Sequence, residues 1–99
     1  MDEPLLTVVA ESYAKPGREE ELGELLKGLI PPTRKETGCV QYDLHVDNDR
    51  PGHFLFLEHW TSLAHLQAHL ASPHFAAFQA RSAELLAEPP RIVLTKRIG

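Results

Sequence analysis

The chain has 99 residues, of which 42% are apolar and 24% charged, a composition typical of one globular domain that spans residues 1–99. Fourteen acidic and ten basic residues give a formal charge of −4, which argues against a partner that is a nucleic acid or an anionic membrane. The apolar runs are far shorter than the roughly 20 residues of a membrane-spanning helix, and residues 1–4 are acidic rather than signal-like. We therefore expect a cytoplasmic protein. Cys39, the only cysteine, excludes an internal disulfide.

The first half of the sequence predicts a strand followed by a helix. Residues 5–12 are apolar at odd and even positions, as in a strand that is buried on both faces. After a break at residues 15–17, helical spacing is shown by Leu22, Leu25, Leu26, Leu29 and Ile30. Pro31 and Pro32 must kink or restart this helix because neither has an amide hydrogen. A last turn over residues 33–37 is expected to stop at Gly38.

The second half predicts a hairpin, two helices and a last strand. Residues 39–46 alternate with period two, residues 48–52 are rich in turn formers, and residues 53–60 are again apolar on both sides. Ser62 is a candidate cap for a short helix, and Ser72-Pro73 is typical of the start of another. The last helix places together Phe75, Phe78, Ser82, Leu85 and Leu86. Residues 88–90 stop it, and residues 91–98 form strand four.

This order of elements predicts an α+β fold of the ferredoxin-like, split β-α-β type. The sheet is expected to have four antiparallel strands in the order 4-1-3-2, with the helices on one face. Because strands one and three are apolar on both sides, the opposite face would leave apolar surface in water. We therefore expect a homodimer joined through that face, which makes a dimeric α+β barrel.

The histidines are the most informative candidates for chemistry. His65 and His69 have the i, i+4 spacing that lets two imidazoles share a metal ion, with His69 at the border of the core and His65 facing solvent. No third ligand and no H-E-x-x-H motif accompany them, and the scattered glycines form no nucleotide fingerprint. We therefore expect no metal and no other cofactor.

His74 lies near the start of the last helix, where the helix dipole disfavours an imidazolium. A neutral ring there can donate and accept a proton, although it can also merely cap the helix and fill space. Arg34 and Glu36 lie where a helix end meets strand two, and they predict either a solvated ion pair or a pocket mouth. Several aromatics could line a cavity between sheet and helices, although core packing explains most of them: Tyr42, Phe54, Phe56, Trp60, Phe75 and Phe78.

Three stretches together form a family pattern: LTVVAESYAKPGREEEL, TRKETGCVQYDLH and FLFLEHWTSLAHLQAHLASPHFAAF. In order and spacing they resemble the antibiotic biosynthesis monooxygenase family of small dimeric α+β-barrel proteins. The specific part is the E-x-W-x-S motif with the following H-L-x-S-P-H-F. The resemblance covers nearly the whole chain.

The resemblance implies oxygenation of quinols or polycyclic aromatics without metal, haem or flavin. We predict a cofactor-independent monooxygenase that oxidises a small quinol, phenol or polycyclic aromatic. His69 and His74 are the candidate proton-handling residues. The candidate contacts to this small aromatic or quinone-like ligand are Tyr42, Trp60, Arg34, Phe75 and Phe78.

Two other functions stay open. One is a non-catalytic small-molecule-binding or stress-related dimer, because a fold does not determine a function. The other is an isomerase for a small signal metabolite, since a branch of the family shares the element at residues 72–74. Haem degradation is not expected, because Ser12, His69 and Gln79 stand where haem-degrading relatives have asparagine, tryptophan and histidine.

Overall fold

The computed structural model describes residues 5–99, which form four strands and four helices. The acidic residues 1–4, on which the expectation about a signal peptide depends, lie outside the described residues. The elements follow one another as β1 (Leu6–Tyr13), α1 (Glu19–Gly28), α2 (Ile30–Arg34), β2 (Cys39–Asp47), β3 (Arg50–Trp60), α3 (Leu63–Leu70), α4 (Pro73–Ser82) and β4 (Arg91–Thr95). None of the helices in residues 5–99 is long and apolar enough to cross a membrane.

The four strands form one antiparallel sheet in the order β2-β3-β1-β4, as predicted. The helices pack on one side, here called the inner face, and the opposite side is the outer face. The core lies between the inner face and the helices and includes Val8, Leu22, Leu26, Phe56 and Trp60. The ferredoxin-like α+β fold is confirmed.

The double proline restarts the helix rather than kinking it. Pro31 and Pro32 occupy the first turn of α2, where a missing amide hydrogen costs little because those amides have no partner within the helix. Gly38 ends this segment with a φ of +85°, a conformation that glycine adopts without steric cost.

Both predicted serine caps are present. Ser62 Oγ accepts the His65 amide at 3.2 Å, and Ser72 Oγ accepts the Phe75 amide at 3.3 Å. Each bond satisfies one of the unpaired amides at a helix start. The beginnings of α3 and α4 are therefore set by local sequence.

The ends of three elements differ from the prediction. Residues 48–52 are not all turn, because Arg50 pairs with Asp47 around a two-residue turn and β3 begins there. The last helix ends at Ser82, and Leu85 is buried in the turns that follow, where its amide bonds to the Ser82 carbonyl. Strand four ends at Thr95 rather than at residue 98, since its pairing with β1 stops at Thr7.

Candidate active site

A carboxylic acid lies in the middle of the inner face of the sheet. The side chains of β3 that point toward the helices include Phe54, Phe56, Glu58 and Trp60, all of them buried. Glu58 is paired with Val8 on one side and Tyr42 on the other, and only 4% of its surface is exposed. The prediction that this strand is apolar on both sides is wrong at Glu58. The signal for it in the sequence is an acidic residue that alternates with Phe54, Phe56 and Trp60.

One hydrogen bond holds the Glu58 carboxyl group. The indole Nε1 of Trp60 donates to Glu58 Oε1 at 2.9 Å. Burial raises the pKa of Glu58 to about 7, the Trp60 hydrogen bond opposes this rise, and the negative charge of Glu36 adds to it. Glu58 can therefore take up or release a proton near neutral pH.

Glu58 borders a small cavity of about 40 Å³ between the sheet and the helices. Most of its wall is apolar, and the polar side chains in it are Ser12, Tyr42, Glu58 and His69. Burial raises the pKa of Tyr42, so its phenol stays protonated. The cavity is thus lined, among apolar side chains, by two groups that can exchange protons, the Glu58 carboxyl and the His69 imidazole.

A larger groove of about 610 Å³ lies next to this cavity, between α4 and β4. The groove and the cavity share five wall residues: Leu70, Phe75, Phe78, Pro90 and Ile92. The volume of the groove falls within the range of small-molecule pockets. The groove and the cavity that Glu58 and His69 line are therefore neighbours with a common wall.

A hydrogen-bonded cluster of two imidazoles and a carboxylate flanks the cavity. Nδ1 of His69 lies 2.6 Å from Glu36 Oε2, and Nε2 of His74 lies 2.9 Å from the same oxygen. Because an ionised carboxylate only accepts hydrogen bonds, both rings donate to Glu36. Nε2 of His69 is then the unprotonated nitrogen of a neutral ring. Burial lowers the pKa of His69, which agrees with a neutral ring, although the bond to Glu36 opposes the shift.

Ser72 joins the two helices that carry these histidines. Its hydroxyl donates to the His69 carbonyl at 2.6 Å and also accepts the amide that caps α4. The end of α3 is thereby fixed against the start of α4. His69 and His74 consequently approach the same carboxylate with their ring centroids 5.9 Å apart.

Most of the predicted ligand-contact residues surround His69. Its ring centroid lies 5.0 Å from that of Trp60, 5.4 Å from that of Tyr42 and 5.1 Å from that of Phe75. Phe78 lies next to Phe75 and lines the cavity. The structure therefore brings five of the predicted site residues together, and it adds His74 through Glu36.

Arg34 lies apart from this group. Its guanidinium binds Asp43 Oδ1 at 3.0 Å and the Tyr42 carbonyl at 3.2 Å, on the exposed side of the chain. The expected ion pair of Arg34 with Glu36 is wrong, because Glu36 turns toward the histidines instead. These two neighbouring charged residues therefore have different partners, Asp43 for Arg34 and the two histidines for Glu36.

His65 and His69, whose i, i+4 spacing suits a shared metal ion, are not brought together. His65 does not approach His69, since its Nδ1 lies 2.8 Å from Ser62 Oγ and 2.9 Å from Thr61 Oγ1. The group with metal-ligand spacing is Glu36, His69 and His74, whose ligand atoms lie within 4.8 Å of one another. Glu36 is a third donor beside His69 that sequence spacing did not show. In the structure both histidines bond to Glu36.

Comparisons with known proteins agree with this architecture. Residues 5–81 match the family model described as "Antibiotic biosynthesis monooxygenase". The chain is 36% identical over 85 residues to "Probable quinol monooxygenase YgiN" of Escherichia coli, covering 75% of this chain and 81% of that protein. It is also 36% identical over 95 residues to "Uncharacterized protein sll1783" of Synechocystis, covering 96% of this chain but only 64% of that protein's length.

The fold is also shared with a solved structure. The crystal structure of PA3566 from Pseudomonas aeruginosa superposes with a TM-score of 0.93 at 34% identity, covering 100% of this chain and 99% of that chain. This similarity extends through every strand and helix described above. From the family model and these relatives, the chain belongs to the antibiotic biosynthesis monooxygenase family.

Proposed function

We propose that this protein is a cofactor-independent monooxygenase that oxidises a small phenol, quinol or polycyclic aromatic to a quinone. The observation that supports this most is the apolar groove, which shares five wall residues with the cavity that Glu58 and His69 line. The similarity to a protein named quinol monooxygenase supports the same substrate class.

The reaction needs few protein groups because the substrate itself supplies the electrons. Once its hydroxyl is deprotonated, a phenol can pass an electron to dioxygen. One oxygen atom then bonds to a ring carbon and the other leaves as water, with the hydroxyl proton and the hydrogen of that carbon. The protein must bind the ring away from water, stabilise the anion and transfer protons.

Each requirement has residues in this site. Tyr42, Phe75 and Phe78 provide apolar contact for an aromatic ring, and Trp60 packs behind His69. His69 lines the cavity, and its unprotonated nitrogen is Nε2, since Nδ1 is bound to Glu36. His74 bonds to the same oxygen of Glu36 as His69 does, and it acts on His69 through that carboxylate. Arg34 has no role in this proposed reaction, because its guanidinium is bound to Asp43.

We further propose that the protein is a homodimer joined through the outer face of the sheet. Val9, Leu57 and Val93 lie side by side there on three neighbouring strands and are only half-buried in the single chain. A second copy would cover this apolar row. The ligand groove lies on the helix side, so both copies would keep an open groove.

Oxygen uptake with a panel of naphthols and hydroquinones tests the proposed activity. We expect uptake without added flavin, one labelled oxygen atom in the product when ¹⁸O₂ is supplied, and the same rate after treatment with a chelator. Gln67→Ala, an exposed change on α3, serves as the control for His69→Ala on the same helix. A rate that is lost with chelator and restored by a divalent metal in wild type but not in His74→Ala would contradict the cofactor-independent reaction.

Isomerisation is the second candidate, because Glu58 and His69, which line the same cavity, could move a proton between two carbon atoms of a carbonyl compound. The two reactions differ in dioxygen consumption. Exchange of a substrate hydrogen with solvent deuterium under argon would favour the isomerase. Tight binding of aromatic ligands without either reaction would favour a binding protein.

A further inference from the structure

We propose that Glu58 is the catalytic base that takes the hydroxyl proton of the aromatic substrate, with Trp60 as its positioning residue. This inference rests on the proposed oxygenation, for which it supplies the first step. The O–H bond of the substrate breaks, a new O–H bond forms at Glu58 Oε2, and the electron pair stays on the substrate oxygen. The proton later leaves in the water that dioxygen yields.

The two oxygens of the Glu58 carboxyl group differ in their hydrogen bonds. Oε1 is occupied by the Trp60 indole N–H. Oε2 receives no hydrogen bond from residues 5–99, although buried carboxylates are ordinarily hydrogen-bonded. Because the residue lines the cavity, a substrate hydroxyl there would find an unoccupied acceptor.

The two histidines, which are the other candidate bases, are less suited to this role than Glu58. His74 does not line the cavity and bonds to Glu36 instead. His69 lines it and has a free Nε2, but burial lowers the pKa of its ring against the opposing effect of Glu36, which makes the ring a weaker base. Glu58, whose pKa burial raises to about 7, is matched to proton transfer near neutral pH.

The surroundings of Glu58 on each element determine how it titrates. β2 contributes Tyr42, whose phenol stays protonated, and β1 contributes the neutral Ser12. α3 contributes His69, and the charge of Glu36 acts from the segment before β2. Among these groups of residues 5–99, Glu58 is the one that both lines the cavity and changes its charge near pH 7.

The experiment compares wild type with Glu58→Gln, which keeps the shape of the side chain and an oxygen for the Trp60 N–H. We expect turnover to fall by roughly 10²–10⁴-fold, the usual contribution of a positioned base. The wild-type rate should decline as the pH falls below about 7, and this acid limb should be absent from Glu58→Gln. Glu24→Gln, an exposed acid on α1, is the matched control and should keep the wild-type rate.

Two further variants separate a catalytic role from a structural one. Glu58→Asp should turn over slowly but keep the acid limb, because it keeps a carboxylate. Trp60→Phe removes the N–H that favours the charged carboxylate, so its acid limb should move to higher pH. These two variants decide the matter if Glu58→Gln does not fold.

A Glu58→Gln variant with the wild-type rate and acid limb would overturn the role of Glu58 while leaving the proposed oxygenation intact. If wild type consumes no dioxygen with any substrate, the proposed oxygenation fails, and bound 4-nitrocatechol tests Glu58 separately. Its absorbance reports loss of its hydroxyl proton, and we expect its pH titration on the protein to differ between wild type and Glu58→Gln. Identical titrations would overturn the inference.

Discussion

Glu36 connects parts of the chain that lie far apart in sequence. It bonds to His69, 33 residues away, and to His74, 38 residues away, through a single carboxylate oxygen. With both rings donating to that oxygen, His69 is held in one tautomer and one orientation. The tautomer and orientation of this ring, which lines the cavity, therefore depend on Glu36.

Replacing Glu36 with glutamine should destabilise the fold. The amide oxygen can take the place of Oε2 and keep both bonds, but it carries no charge and is a weaker acceptor for the two ring N–H groups. We expect a loss of about 1–3 kcal/mol in the free energy of unfolding. Urea denaturation measures it, with Glu24→Gln, whose exposed pair with Lys27 is worth little, as the control. Equal losses in both variants would show that the cluster adds no stability.

Glu58 should make stability depend on pH in a recognisable direction. Its pKa is about 7 in the folded chain and near 4.5 when unfolded, so the folded state binds the extra proton between these values. Its contribution is fully present below pH 4.5 and is lost as the pH rises through 7. The shift corresponds to about 3 kcal/mol.

Denaturation of wild type and Glu58→Gln at a series of pH values checks this prediction. The variant should gain stability relative to wild type between pH 4.5 and 8, because it has no charge to bury. Burial of His69 acts in the opposite direction, and it cancels in the comparison because both proteins contain it. A difference in stability that does not change with pH would mean that Glu58 is not shifted.

At the scale of elements, local signals predicted which helices and strands exist and long-range packing decided where they end. The serines at 62 and 72 cap helices through bonds to residues three positions away, so the sequence shows both starts. The end of β4 depends on how far β1 extends, and no residue of β4 itself shows that limit. The same holds for the site, since His69 could be named from its helix but the approach of Glu36 depends on a loop.

At Gly38 both the backbone conformation and the packing of a neighbouring side chain require glycine. Its φ is +85°, and a Cβ atom added there would clash with the ring of His65. Gly38→Ala should therefore cost at least about 1–3 kcal/mol of stability, from backbone strain and from displacement of the His65 ring. Gly28→Ala is the control, because no atom lies within 4 Å of its added Cβ at the end of α1, and it should be neutral or stabilising. Thermal melts of the two variants should shift in different directions, and a Gly38→Ala protein as stable as wild type would contradict this account.

At the scale of the whole molecule, the sheet has two faces and only one is covered by helices. On the outer face, Leu57 pairs with Val9, and Val9 pairs with Val93, which gives an apolar row across three strands. The neighbour of Leu57 on β2 is Asp43, so the row ends at a charged edge. A second copy of the chain would bury the row and leave that edge near solvent.

Leu57→Lys tests this arrangement without threatening the fold of the single chain. In a monomer the ammonium group can lie in water beside Asp43, whereas in a dimer it would be buried against the partner's apolar row, at a cost of several kcal/mol. We expect wild type to have the mass of a dimer by light scattering at micromolar concentration, with an interface well above ~1,000 Å². Leu57→Lys should have the mass of a monomer with an unchanged far-ultraviolet circular dichroism spectrum. Leu63→Lys, at a half-exposed position on α3 in the helix layer, should stay dimeric. A monomeric wild type, or a Leu57→Lys protein that remains a dimer, would show that the outer face is not the interface.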